Sequence, residues 1–288
     1  MKAMPFRQHE ELRPFPGLPE AVKASLTVSD LVLRPFGLYE SDLNVDFDRM
    51  PRPILVTHLL ECCTGDAQKE KVEQNLFWQL PVGKRIECLL TLLLSGAGSE
   101  IPVVFQCPNA TCEERSEIEI SIEEIAALQE EAYATDRVEV PLENEVLALR
   151  RPTGSDQLAW LKCNFTDREA ALRAMVRTLL LNGGEDVDVR GYTLRDEWLD
   201  SVEEAMEEHD PLVNFRLRVK CPSCESDHLV AIDLEELSLR GLRQAQLRLL
   251  ASVHRLAAHY HWSEQQIFAV PYWRRAHYLS LIENEENQ

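Results

Sequence analysis

Four cysteines fall into two close pairs, Cys107 with Cys112 and Cys221 with Cys224. Thiolates are soft ligands, and a tetrahedral structural zinc takes four thiolate or imidazole donors. The pair in CPSC, Cys221 and Cys224, therefore supplies half a site. Comparing the chain with itself finds the other half. PVVFQCPNATCEERSEIEISIEEI, residues 102–125, aligns with FRLRVKCPSCESDHLVAIDLEEL, residues 215–237, and needs no gap after the second cysteine. Glu113 matches Glu225, Ile118 matches Val230, Ile120 matches Ile232, Ile122 matches Leu234, and Glu123-Glu124-Ile125 matches Glu235-Glu236-Leu237. Only the turn differs, C-x4-C in the first copy and C-x2-C in the second.

The elements that must position these cysteines can be read from the same alignment. Val103 and Phe105 in one copy, Leu217 and Val219 in the other, alternate as on a half-buried strand. Each copy reads as strand, Cys turn, strand, then a helix opening on a capping box, Ser121 with Glu124 and Asp233 with Glu236. Two such hairpins, each offering two sulfurs, can close one tetrahedron. The expected site is Cys107, Cys112, Cys221 and Cys224 around a structural Zn2+, with iron compatible with the same donors. Joining the two turns staples a long loop. The competing reading is two hairpins with buried thiols and no metal. A redox pair is disfavoured, because that chemistry wants its cysteine at a helix N-terminus and a strand follows here. His228 could substitute as a ligand, but the repeat aligns it with Ser116.

The chain has 288 residues, 45% apolar and 27% charged, enough for a sizeable core and more than one packed unit. Its 30 Lys and Arg against 49 Asp and Glu leave a net charge of -19, which repels a phosphate backbone, so no nucleic-acid partner is expected. The N-terminus lacks the apolar core of a secretory signal, and the most apolar run, CLLTLLL, is far too short to span a bilayer. A cytoplasmic protein without membrane insertion is the expectation. Cys88 and Cys163, each alone, read as small buried hydrophobes. His58 and Cys62 stand one helical turn apart, a spacing assigned to core or interface.

The expected fold class is α+β and mainly helical: two repeated strand-Cys-turn-strand-helix units closing a zinc-ribbon-like four-cysteine site, a helical insertion and a helical C-terminal region. The expected divisions are a proline-rich N-terminal arm over 1–52, helices plus the first Cys hairpin over 53–145, the insertion over 146–212, and the second hairpin with a long helix and docking helices over 213–288. Leu242, Leu249, Val253, Leu256 and Tyr260 form one apolar stripe on that long helix, flanked by Arg240, Arg243, Arg248 and Arg255. Ser263 with Gln266 is a further capping box, with Trp262 and Ile267 as its staple, and Pro271 starts a last helix. Tyr272, Trp273, Arg274 and Arg275 make an aromatic and basic cluster of the composition found at interfaces, and they are the expected partner-binding residues.

ILVTHLLECC, QLPVGKRIECLLTLLL, CPNATC, RRPTGSDQLAWL, CPSC and the final HRLAAHYHWSEQQIFAVPYWRRAHYLSLI, in that order, resemble the baseplate-hub and hub-assembly-chaperone proteins of T-even-type phage tails. The chain is most like the versions encoded with phage-like contractile injection systems. The resemblance spans residues 54–282 and is most specific at its C-terminal end. Relatives carry the paired-cysteine hairpins, usually with C-x2-C in both copies, and the C-x4-C at Cys107 is a departure. The resemblance implies a non-enzymatic role in building the baseplate hub around its spike, with hub or spike proteins as partners. Self-association is left open. Two other classes compete: an enzyme with a catalytic zinc, which four thiolates disfavour, and a zinc-ribbon adaptor or nucleic-acid module unrelated to tails. The second of these lacks a basic knuckle at Cys107 and Cys112.

Overall fold

The computed structural model describes residues 12–23, 31–66, 75–94, 100–132, 137–142, 146–181, 195 and 198–287. Residues 1–11 of the expected N-terminal arm lie outside them. In chain order come β1 (Arg13–Pro14), α1 (Glu20–Lys23), β2 (Leu31–Leu33), a 3-10 turn (Glu40–Asn44), α2 (Arg52–Cys63), β3 (Thr64–Asp66), α3 (Asn75–Gln79) and α4 (Val82–Leu94). The first hairpin, β4 (Glu100–Gln106) and β5 (Arg115–Ser121), leads into α5 (Ile122–Ala132). A second hairpin, β6 (Arg137–Pro141) and β7 (Val146–Arg150), is followed by α6 (Gly154–Trp160), α7 (Arg168–Leu179) and α8 (Leu199–His209). Then β8 (Arg216–Lys220) and β9 (Asp227–Ala231) lead into α9 (Leu234–Tyr260), α10 (Glu264–Ala269) and α11 (Tyr272–Glu286). Over half of the described residues are helical, and the sheets among them are small and antiparallel.

The repeat is present in three dimensions. Val103 pairs with Ile118 and Phe105 with Ser116, while Leu217 pairs with Val230 and Val219 with His228, the register the alignment requires. Both following helices carry the N-cap half of the expected box, Ser121 Oγ accepting from the Glu124 amide at 3.3 Å and Asp233 Oδ1 from the Glu236 amide at 2.9 Å. Both hairpins and both helices contribute to one core with α2 and α4. Helix α4 is its axis: the run CLLTLLL is apolar almost all round, and Cys88, Leu89, Leu90, Leu92 and Leu93 are buried. Close approach of α9 to α4 is permitted by Gly241, where a Cβ would stand 2.6 Å from Leu93 Cδ2.

A satellite core joins β6 and β7 to α7 and α8 through Val138, Val140, Leu149, Val176 and Leu199. Because β6 pairs with β7, the expected division at 145/146 falls inside a hairpin. A third cluster gathers Leu249, Val253 and Leu256 of α9 with Ile267 and Ile282, so the predicted stripe from Leu249 onward is the packing seam of the C-terminal helices, while Leu242 belongs to the main core. Tyr260 stacks on Trp262 at 4.9 Å and meets Tyr278 at 5.4 Å, and Ser263 and Gln266 form their capping box.

Two expectations need correction. Residues 31–50 are part of the main core and do not form an arm: Leu33, Phe36 and Val45 are buried. What holds them is a polar device with no periodicity to read. Asp42, fully buried, takes the Arg34 guanidinium at 3.1 and 2.6 Å and the amides of Gly37, Leu38 and Tyr39 at 2.9 to 3.1 Å. Arg34 also donates to the Cys62 carbonyl at the end of α2, and Gln246 of α9 donates to the Asp42 and Val45 carbonyls. The loop thus ties α2 to α9. Cys88 is buried as expected, but Cys163 is exposed just beyond α6.

A second buried cation organises the other side of α4. Arg85 is fully buried and donates to Thr57 Oγ1 at 3.0 Å and to the Phe77 and Pro53 carbonyls at 2.7 Å each. Burial pulls its guanidinium down to about 10. Gly154 in the PTGSD turn lies against it, and a Cβ there would stand 2.2 Å from Arg85 Nη1. Arg85 cannot swing away without breaking its bonds to α2 and α3. Gly154→Ala is therefore expected to destabilise the fold by roughly 1–3 kcal/mol, although alanine is the better helix former. A denaturant midpoint at or above the parent's would refute this account of the glycine.

Candidate metal centre

Each knuckle closes on the same backbone bonds. The Cys107 amide donates to the Glu114 carbonyl at 2.7 Å and the Cys221 amide to the Ser226 carbonyl at 3.0 Å, and Glu114 and Ser226 are aligned positions of the repeat. The residue after the second cysteine is left-handed in both, Glu113 with φ 50° and Glu225 with φ 56°. Non-glycine residues adopt this conformation at a cost, so the same strain in both copies marks a backbone path imposed by the turn. The longer C-x4-C is absorbed before this point. The Glu113 amide donates to the Asn109 carbonyl, as the Glu225 amide does to the Cys221 carbonyl. Asn109 Oδ1 also holds the Thr111 amide and hydroxyl, so the two extra residues form a side-chain-braced step ahead of an unchanged turn.

The result is a convergence of sulfurs. Cys107 Sγ lies 3.7 Å from Cys224 Sγ and Cys112 Sγ lies 3.7 Å from Cys221 Sγ, each contact crossing between hairpins. All four ligand atoms lie within 4.8 Å of one another. A tetrahedron with metal–sulfur bonds of about 2.3 Å has edges of about 3.8 Å, so the donor set fits a thiolate-bound cation. Cys107 and Cys221 are buried and Cys112 and Cys224 partly so. As free thiols Cys224 and Cys107 are unequal. The Ser226 hydroxyl, 3.3 Å away, and the Ser226 amide bring Cys224 down to about 5, while burial pushes Cys107 up to about 12. A cation among them would make all four thiolates compatible.

The repeat argues against His228 as a ligand by aligning it with Ser116. Its Nε2 lies 3.4 Å from Cys107 Sγ, outside the four-sulfur group and in reach of it. The alignment carries no trace of this contact, because it runs from one hairpin's second strand to the other hairpin's first cysteine. The remaining sequence-marked pair, His58 and Cys62, holds only a 3.7 Å contact of its own on α2.

The C-terminal cluster divides. Tyr272 and Trp273 are 56% and 59% exposed and Arg274 is exposed, but Arg275 is buried. Arg275 donates to the Leu38 carbonyl at 2.7 Å and lies over the Phe268 ring at 4.9 Å, so it fastens α11 to the loop built on Asp42. The expectation that it belongs to an exposed patch is corrected by this contact, which a helix one turn away from an irregular loop does not advertise in sequence.

The family model for the T4 bacteriophage base plate protein matches residues 48–238. The chain belongs to this family. The baseplate match contains α2, α4, both Cys hairpins and the first turn of α9, which supply much of the main core, while Leu33, Phe36 and Val45 of that core lie before it. The match stops at residue 238, short of residues 262–282. Baseplate proteins of this kind are typically structural and bind other baseplate proteins. No significant match is found among curated proteins or among solved structures. Among the described residues no helix is long and apolar enough to cross a membrane.

Proposed function

We propose that this chain is a non-enzymatic assembly factor or minor structural component of the baseplate hub of a contractile tail or contractile injection system. It acts in the cytoplasm or within the assembled particle, by binding hub or spike proteins, around a structural Zn2+ on Cys107, Cys112, Cys221 and Cys224. The observation that carries this reading is that the family match spans both hairpins, so the region shared with baseplate proteins is the region whose four sulfurs converge. Four thiolates leave a zinc no open position, which favours a staple over a catalyst. Tyr272, Trp273 and Arg274 offer the docking surface, since they are exposed beside each other at the start of α11 while Arg275 anchors the helix beneath them.

The test is capture of neighbouring tail proteins. Purified chain is expected to bind a hub or spike protein stably and without turnover. The double change Trp273→Ala with Arg274→Glu should weaken that capture by about 10-fold or more, as loss of an aromatic and arginine anchor does, with the thermal midpoint nearly unaltered. Equal capture by the double variant would place the docking surface elsewhere, and failure of the parent to bind any hub or spike protein would overturn the reading.

A further inference from the structure

The two hairpins share a backbone and differ on their outer faces. On the first, Val104 is 49% exposed and sits opposite Glu117, with Glu119 one step further from the knuckle and Glu100 at the strand end, all exposed. On the second, Leu229 is 59% exposed and sits opposite Arg218, with Arg216 one step from it and Lys220 at the knuckle, all exposed. Each face therefore centres on an uncovered aliphatic side chain, one rimmed mainly by carboxylates with Arg115 at its turn end, the other mainly by cations with Asp227 opposite Lys220. The strands that carry charge and apolar residue are also exchanged. In the first hairpin the apolar residue is on the leading strand and the acids on the returning one; in the second the cations lead and the apolar residue returns.

That exchange has a geometric consequence. When two like hairpins are laid face to face with strands aligned, the leading strand of each covers the returning strand of the other. Val104 then meets Leu229, Glu117 meets Arg218 and Glu119 meets Arg216. One like-charged pair remains at the turn end, Arg115 near Lys220. Internal partners leave the basic face partly free: Arg216 reaches Glu207 at 2.6 Å and Lys220 reaches Glu225 at 3.4 Å, while Arg218 has no ion pair among the described residues.

We propose that these faces bind each other between copies of this chain, the acidic hairpin of one copy on the basic hairpin of the next. The two surfaces are different patches, so the contact is head to tail and propagates into a ring or an open array. Two strands are only about 10 Å wide, so a single contact is small and weak, and it relies on a high local concentration such as an assembly provides. The net charge of -19 opposes approach at long range. At about 0.15 M salt the screening length is about 8 Å, which removes much of that repulsion and leaves the contacting pairs.

Charge reversal on the full chain tests this, read by sedimentation over a concentration series at about 0.15 M salt. The parent is expected to self-associate reversibly. Glu117→Arg with Glu119→Arg, and separately Arg216→Glu with Arg218→Glu, should each weaken self-association by about 10-fold or more. Mixing the two variants should restore it, because each then presents the face the other lacks, and a chain carrying all four changes should associate as the parent does. A thermal midpoint close to the parent's in each variant shows that the fold is intact. A parent that stays monomeric throughout, or reversals without effect, overturns the proposal. So does binding of a DNA duplex or a hub protein by the Arg218 face in place of a second copy.

Discussion

Cys221→Ser is expected to remove stoichiometric zinc and to lower the melting temperature of the whole chain, not of one hairpin alone. Cys221 is fully buried, 3.7 Å from Cys112 of the other hairpin, and each hairpin contributes to the core built on α4. Structural zinc binding is folding free energy, on the order of 10–16 kcal/mol in small zinc modules, and three thiolates retain only part of it. A net loss of roughly 3–5 kcal/mol corresponds to a fall of about 10 °C for a chain of this size. Cys163→Ser, at an exposed position, should change stability by no more than about 0.5 kcal/mol. Elemental analysis under reducing, chelator-free conditions with parallel calorimetry measures both. Zinc-free parent protein with an intact fold would end the metal assignment, and a Cys221→Ser protein melting with the parent would end the staple.

Asp42→Ala should be nearly as damaging, without touching the metal. The side chains of Arg34 and Asp42 are 7% and 0% exposed, and removing the carboxylate leaves a buried guanidinium with the Cys62 and Pro35 carbonyls and the Tyr39 ring but no counter-charge in hydrogen-bond reach. It also leaves the Gly37, Leu38 and Tyr39 amides without their acceptor. Breaking one side of a buried, hydrogen-bonded ion pair costs about 3–5 kcal/mol. The Leu38 carbonyl is also where Arg275 of α11 attaches, so loosening should spread to the C-terminal helices. The prediction is a lower denaturant midpoint with zinc content unchanged, and faster amide exchange in α11. Loss of zinc in this variant, or a midpoint within about 0.5 kcal/mol of the parent's, would contradict it.

These two sites differ in how they could be known. The Cys pairs, strand alternation, caps and the seam of α9 were legible in the sequence, because each is a local pattern written once per turn or per strand, and the internal repeat writes the hairpin twice. The family was legible too, through the order of those motifs. The Asp42 loop was not, because its stability comes from one carboxylate gathering an arginine and three amides, an arrangement without period. The same reason hid Arg275, which looked like surface charge beside Arg274 and is buried by a carbonyl more than 200 residues away. His228 and the opposed charges of the two hairpin faces were equally out of reach, since alignment compares copies and cannot say which residue of one lies against the other. Sequence alone thus determined which side chains could bind a cation and on what elements they ride. The convergence of four sulfurs to 3.7 Å contacts, the burial of Arg34, Arg85 and Arg275, and which faces stay open were decided by packing on α4, because long-range contacts are set by what else competes for the same core surface.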